Sequence, residues 1–147
     1  MANSGTLFEA TLAKSWVASN IPLIRIKLTE TGEERPCDER VDLENLRLFN
    51  ELKSTSNDSF SIRQIKPHQL KSLAHLNKKF KDTLGLVFIE FSKYNIVKVI
   101  DIISLLTYSK NTGCMSIKSN TSIGYNLVRK GDIYLITSDF INYLEGL

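Results

Sequence analysis

The chain has 147 residues, a net charge of +3, 42% hydrophobic and 24% charged residues, the balance of a globular protein that buries a core, and a length suited to a single domain spanning 1–147. No apolar run approaches the roughly 20 residues that cross a bilayer, so no membrane role is expected. So small a net charge excludes a uniformly basic nucleic-acid coat.

Two cysteines, Cys37 and Cys114, are too few and too far apart for a zinc set. Met1–Gly5 shows no charged-then-apolar leader, so free thiols and a cytoplasmic location are expected, in the host cytoplasm if the source is viral.

From the amino terminus, Leu7, Phe8, Leu12 and Trp16 recur at helical spacing, which predicts an amphipathic helix over 4–19 with Ser4 as its cap. Glu9 falls between Phe8 and Leu12 on the wheel, partly toward the buried side. It reads either as a surface acid favoured by the helix dipole or as a ligand. Pro22 closes this region, and 23–28 alternates apolar and basic residues as a strand does.

Two further strands follow, one beginning near Asp38 and one over 46–53, separated by the turn-compatible Asp42-Leu43-Glu44-Asn45. An antiparallel hairpin through that turn brings Asp38 opposite Glu51. Side chains alternate along a strand, so Arg47, Phe49, Glu51 and Lys53 share one face.

Pro67 suits the first turn of a helix running to about Phe80, with Leu70, Leu73, Ala74, Leu76 and Phe80 as its buried stripe. Gln69 projects inward near its start. His68 and His75 lack the acid or cysteine that completes a zinc set. They read as surface or packing residues, His68 with a possible phosphate contact.

The apolar run 84–91 predicts a strand buried on both faces at the middle of a sheet. A strand over 95–100, a helix over 101–108 and a final helix capped by Thr137 or Ser138 complete the pattern. Strands with covering helices imply an α/β fold with a mixed sheet. The hydroxyl- and amide-rich segments 109–113 and 116–122 read as loops, surface connections or phosphate contacts.

The chemistry lies in Asp38, Glu51 and Lys53. Magnesium takes one or two carboxylates and fills its octahedron with water and substrate phosphate, so two acids suffice as protein ligands. A bound ion makes hydroxide accessible near neutral pH, and an adjacent ammonium orients the attacking water or stabilises developing charge. The plainer reading is a charged, solvated strand edge. Phe49 on the same face argues that this face is partly covered.

Charge is unevenly distributed. Residues 30–44 carry seven acids against two arginines, whereas 59–81 carry no acid and six lysines or arginines. A basic segment beside an acidic pair suits a protein that grips a phosphate backbone, and Arg63, Lys66, His68 and Lys71 are its candidate DNA contacts. Without the neighbouring acids it would read as a solvated helix face.

Pro36-Cys37-Asp38, then Glu51-Leu52-Lys53 thirteen positions after the aspartate, together resemble the PD-(D/E)XK nuclease superfamily. The following Ser54-Thr55, Ser59-Phe60-Ser61-Ile62 and His68-Gln69-Leu70 bring the chain nearest to RecU-type Holliday junction resolvases, over roughly residues 36 to 76. Cys37 stands between the proline and the aspartate, and the long segment that these enzymes carry before the aspartate is short here, Thr29 to Arg35.

The resemblance implies a restriction-endonuclease-like mixed β-sheet flanked by helices. It also implies Asp38 and Glu51 as metal ligands with Glu9 as a third, Lys53 serving the attacking water and Gln69 supporting the site. The expected protein is a Mg2+-dependent endonuclease, with Mn2+ able to substitute, acting as a homodimer on four-way or branched DNA. The alternatives are a restriction or repair nuclease on linear DNA, and a non-catalytic DNA-binding protein that keeps the nuclease fold.

Overall fold

Nine strands and four helices are arranged around one mixed sheet in the computed structural model, which describes residues 4–25 and 37–147. Pro36 and the short segment from Thr29 to Arg35 lie outside the described residues. Helix α1 (Ser4–Ala18) leads to β1 (Leu23–Arg25), β2 (Glu39–Asp42), β3 (Arg47–Thr55) and β4 (Ser59–Ser61). Then come α2 (Pro67–Lys79), β5 (Thr83–Phe91), β6 (Ile96–Asp101) and α3 (Ile102–Thr112). The chain finishes with β7 (Ser116–Lys118), β8 (Tyr125–Lys130), β9 (Ile133–Tyr134) and α4 (Ser138–Glu145).

The strand order is β1-β2-β3-β5-β6-β8-β9, with β4 and β7 forming a separate two-stranded ribbon. Among the described residues only β3 and β5 pair in parallel within this sheet. Parallel neighbours need a crossover, and the passage through β4 and α2 supplies it.

All nine residues of β5 are buried, because helices cover both faces of the sheet. Leu84, Leu86 and Phe88 pack in one layer with Phe8, Leu12 and Trp16 of α1 and with Phe140 and Leu144 of α4. Val87, Ile89 and Phe91 pack in the other with Leu73 of α2, Ile102 and Leu105 of α3, and Phe60 and Ile117 of the ribbon. Each such side chain withdrawn from water contributes about 1.5–3 kcal/mol.

The helix α2 lies very close to the sheet. A Cβ at Gly85 would stand 2.6 Å from the Leu73 carbonyl oxygen, a distance that only glycine permits.

Two residues assigned to buried stripes are exposed, Leu7 at 58% and Phe80 at 49%. The buried face of α1 follows the four-residue spacing of Phe8, Leu12 and Trp16, which turns Leu7 about 100° away. Phe80 is the C-cap of α2, with φ −114° and ψ 127°, so it has already left the helical path.

The segments read as loops are also partly regular. Helix α3 continues to Thr112 and ends on Gly113 in the left-handed region at φ 66°. Ser116–Lys118 is β7, paired with β4. The connection after it is held by buried Lys98, whose Nζ donates to Thr121 O at 2.6 Å, Ile123 O at 3.2 Å and Asn126 Oδ1 at 3.0 Å.

Candidate active site

The hairpin β2–β3 pairs Asp42 with Arg47 and ends at Glu39 opposite Asn50. Just before it, the Asp38 N–H donates to Asn50 O at 2.9 Å. Asp38 and Glu39 therefore both meet Asn50 across the ladder, two residues against one as in a β-bulge, a device that re-aims a side chain. The Asp38 carboxylate reaches β3 again, where Oδ2 accepts from Leu52 N–H at 2.7 Å. Backbone and side chain of Asp38 thus bracket Glu51, so the expected juxtaposition is present with an added bulge.

Glu51 is 1% exposed. Its Oε1 lies 3.3 Å from Lys53 Nζ, while its Oε2 is buried with no hydrogen-bond partner. Burial pushes the Glu51 carboxyl up to about 7, and the charge of Asp38 acts in the same direction, against the pull of Lys53. Desolvation and a like charge disfavour the ionised form. Two carboxyls and an ammonium are thus gathered at one place on the hairpin.

Cys37 is fully buried and its thiol, donating to Glu39 O at 3.5 Å, is pushed up to about 12 by burial and by the charges of Glu51 and Asp38. It is held as an inert thiol, since nucleophilic sulfur requires the thiolate. Both cysteines are free.

Gln69 is 7% exposed, and its Oε1 accepts from the Lys66 N–H at 3.2 Å. This satisfies a donor at the start of α2 that the helix itself leaves open. Arg63, Lys66 and Lys71 are exposed and His68 is half-buried, so the basic segment presents cations along the entry to α2.

Glu9 is half-buried on α1. Among the described residues no three Asp, Glu, His or Cys side chains converge as a metal-holding group, so Glu9 stands apart from the Asp38–Glu51 pair in this conformation.

Two features escaped the sequence reading. Arg40, paired with Phe49 on the neighbouring strand, lies 5.8 Å from the centre of the Phe49 ring and is held by Asp42 at 2.9 Å; an arginine beside Asp42 reads in sequence as an ordinary surface pair. Behind the pair, buried Glu39 accepts at Oε1 from Trp16 Nε1–H and from Asn50 Nδ2–H, each at 3.1 Å. The only cue was alternation, Glu39 two before Val41 and Asn50 midway between Leu48 and Leu52.

A mixed sheet with helices on both faces, whose β3 carries Glu51 and Lys53 beside Asp38, is the architecture expected of the PD-(D/E)XK class. The fold matches the solved structure of Hjc from the hyperthermophile Archaeoglobus fulgidus, a Holliday junction resolvase, with a TM-score of 0.55 over 85% of this chain and 88% of that one, at 14% identity. The family model of RecU, Recombination protein U, matches residues 46–147, and the chain belongs to that family. Glu51, Lys53 and Gln69 fall inside the matched residues, and Glu9 and Asp38 precede them. No curated protein matches the sequence.

Proposed function

We propose that Asp38, Glu51 and Lys53 form the Mg2+-dependent centre of a Holliday junction resolvase that works as a homodimer. The resolvase role in recombination, with endonuclease action on branched DNA, follows from membership of the RecU family. The observation that carries the assignment of the site is buried, unpartnered Glu51 Oε2 beside Asp38. Hard oxygen donors crowded together, one of them buried without a hydrogen-bond partner, fit a divalent cation.

Asp38 and Glu51 would hold Mg2+, with Mn2+ as a substitute and Glu9 acting from α1 through water. When bound, the ion supplies Lewis-acid charge neutralisation at the scissile phosphate and eases deprotonation of the attacking water. Lys53, held 3.3 Å from Glu51, orients that water and offsets charge that develops in the transition state. Gln69 fixes the first turn of α2, and with it the approach of Arg63, Lys66, His68 and Lys71 to phosphates on either side of the cut. Arg40 adds a cation on the strand beside Phe49.

One chain supplies one Asp38–Glu51 pair. A four-way junction resolved by two symmetric cuts calls for two such pairs related by a two-fold axis.

A labelled four-way junction incubated with Mg2+ should be cut into nicked duplexes by symmetric incisions, with no product in EDTA and none from Asp38→Asn. Intact junctions, flaps and duplexes under all conditions would overturn the assignment. Equal cutting of linear duplex would turn it toward a restriction or repair nuclease.

A further inference from the structure

Each member of the Asp38–Glu51 pair is the chain neighbour of a member of a second, buried polar cluster. Glu39 follows Asp38 and is 2% exposed, and Asn50 precedes Glu51 and is fully buried. Their side chains point into the layer beneath α1, where Trp16, also fully buried, completes the cluster. Glu39 Oε1 receives two hydrogen bonds at 3.1 Å, from the Trp16 indole and the Asn50 amide.

A buried carboxylate is costly unless hydrogen bonds to the ionised form satisfy it, and bonds to a charged acceptor are the stronger kind. The cluster lies in a layer with Val41, Leu48, Leu52 and Phe88. Glu39 accordingly holds three elements in one register, β2 through its own backbone, β3 through Asn50 and α1 through Trp16.

That register sets the distance between the two carboxyls on the opposite side. Asp38 sits where the ladder carries an extra residue, with its N–H and Glu39 both facing Asn50. Bulged ladders have a nearby alternative pairing, and a one-residue slip would carry Asp38 away from Glu51. The bond between Glu39 and Asn50 penalises that slip, which would break it.

We propose that Glu39, with Trp16 and Asn50, is a positioning residue for the metal-binding pair: it locks the β2–β3 register from behind, so that metal affinity depends on this cluster. The inference rests on the assignment of Asp38 and Glu51 as metal ligands.

The same geometry supplies its test. Trp16 is the sole tryptophan of the chain, and its indole N–H is bonded to the residue next to Asp38. Drawing Asp38 and Glu51 onto Mg2+ therefore changes the indole's hydrogen bond, and tryptophan emission reports occupancy of the site. Mg2+ titrated into the full chain should shift the emission spectrum with the same midpoint that calorimetry gives for binding, and Asp38→Asn should abolish both.

Glu39→Gln keeps the size and an acceptor for the indole but removes the charge. It should weaken Mg2+ binding about tenfold, a change of about 1.4 kcal/mol, with cleavage recovered by raising Mg2+. A residue that matters only to folding would lower the melting temperature and leave the Mg2+ midpoint in place. That result, or an emission spectrum indifferent to Mg2+ while calorimetry registers binding, overturns the proposal. No calorimetric heat from the parent chain would instead sink the metal assignment of Asp38 and Glu51 itself. Trp16→Phe, which retains the aromatic packing and loses only the donor, should weaken Mg2+ binding in the same direction.

Discussion

The Leu52 N–H donates to Asp38 Oδ2 at 2.7 Å, so the strand that carries Glu51 also fixes the carboxylate that faces it. An asparagine at position 38 can still accept that hydrogen bond while losing the charge. Asp38→Asn should fold normally and melt at or slightly above the parent temperature, because a like charge beside buried Glu51 is gone. Cleavage should fall about thousandfold, since metal ligation is worth several kcal/mol in the transition state and each 1.36 kcal/mol is tenfold. Thermal melts and junction cleavage on the same preparations separate the two effects, and a lower melting temperature would show that Asp38 serves the fold instead.

Glu51 gives a pH signature. Its carboxyl is raised from 4.5 to about 7 in the folded protein, so in that window the native state binds a proton that the unfolded state has released. Stability in EDTA therefore falls as pH rises from about 5 to about 8, the direction that linkage requires when the native state binds more protons. Glu51→Gln should flatten this slope. On the proposed assignment Mg2+ competes with the proton for the same oxygens, so cleavage should rise with pH through about 7, and Mg2+ should recover more melting temperature at about pH 8 than at about pH 5. A melting profile with no slope across that range would rule out a strained Glu51.

Lys53 stands 3.3 Å from Glu51 Oε1 and remains partly open to solvent. Its proposed role is in the chemistry, so Lys53→Met should reduce cleavage by about 10²–10⁴, the span that positioned catalytic side chains supply. Binding of Mg2+ should be no weaker, because the variant loses a cation that competes for the same carboxylate. The midpoint of the Glu51 titration should move upward, as Lys53 is what pulls it down. Glu9→Gln should cost far less than either change if Glu9 acts only through water. Mg2+ calorimetry beside single-turnover cleavage, each run across a pH series, checks all four statements.

The central elements were legible because burial leaves a strong mark. The run 84–91 argued for a strand covered on both faces, and β5 is buried throughout. Helix α2 announced itself through Pro67 and its apolar spacing, and Thr137 caps α4 by accepting from the Phe140 N–H at 3.2 Å. The meeting of Asp38, Glu51 and Lys53 on one hairpin was legible through spacing and resemblance. The short strands β4, β7, β8 and β9 were not, since their residues face solvent on one side: in Tyr125–Lys130 only Leu127 is buried. Their partners are distant in sequence, as with Ser59 paired to Lys118, so no local pattern marks them. The Glu39–Asn50 contact was hidden for a related reason. A glutamate next to a polar turn looks solvated until α1 is seen to cover it.

The basic segment makes a separable contribution. Arg63, Lys66 and Lys71 are exposed and none belongs to the Asp38–Glu51–Lys53 centre, so replacing them should weaken junction binding without disabling the chemistry. Each lost phosphate contact should lower the slope of log affinity against log salt by about 0.9 on duplex arms. Arg63→Ala and Lys71→Ala, measured by equilibrium binding at several salt concentrations, should each reduce the slope, and cleavage at saturating protein should approach the parent rate. A slope unchanged in both would place the DNA on another face. The exposed Lys118 on β7 is the next candidate, consistent with a phosphate role for the 116–122 segment.

Gly85 links the sheet to the helix that carries Gln69. Its missing side chain lets the Leu73 carbonyl approach β5, and its N–H donates to Asn77 Oδ1 at 3.1 Å. A methyl group here would meet Leu73 O at 2.6 Å and Leu73 Cβ at 3.0 Å, so α2 must shift outward. Gly85→Ala should destabilise the fold by about 1–3 kcal/mol, the usual cost of overpacking, a melting-temperature loss of roughly 2–4 °C per kcal/mol for a chain of this size. Gly113 gives the contrast, since no atom lies within 4 Å of its added Cβ and only its φ of +66° opposes substitution. Because the displaced α2 carries Gln69 and Lys71 while Asp38 and Glu51 stay on the hairpin, Gly85→Ala should weaken junction binding more than Mg2+ binding. Equal loss of both, measured at a temperature where the variant remains folded, would mean that the helix and the metal-binding pair move as one unit.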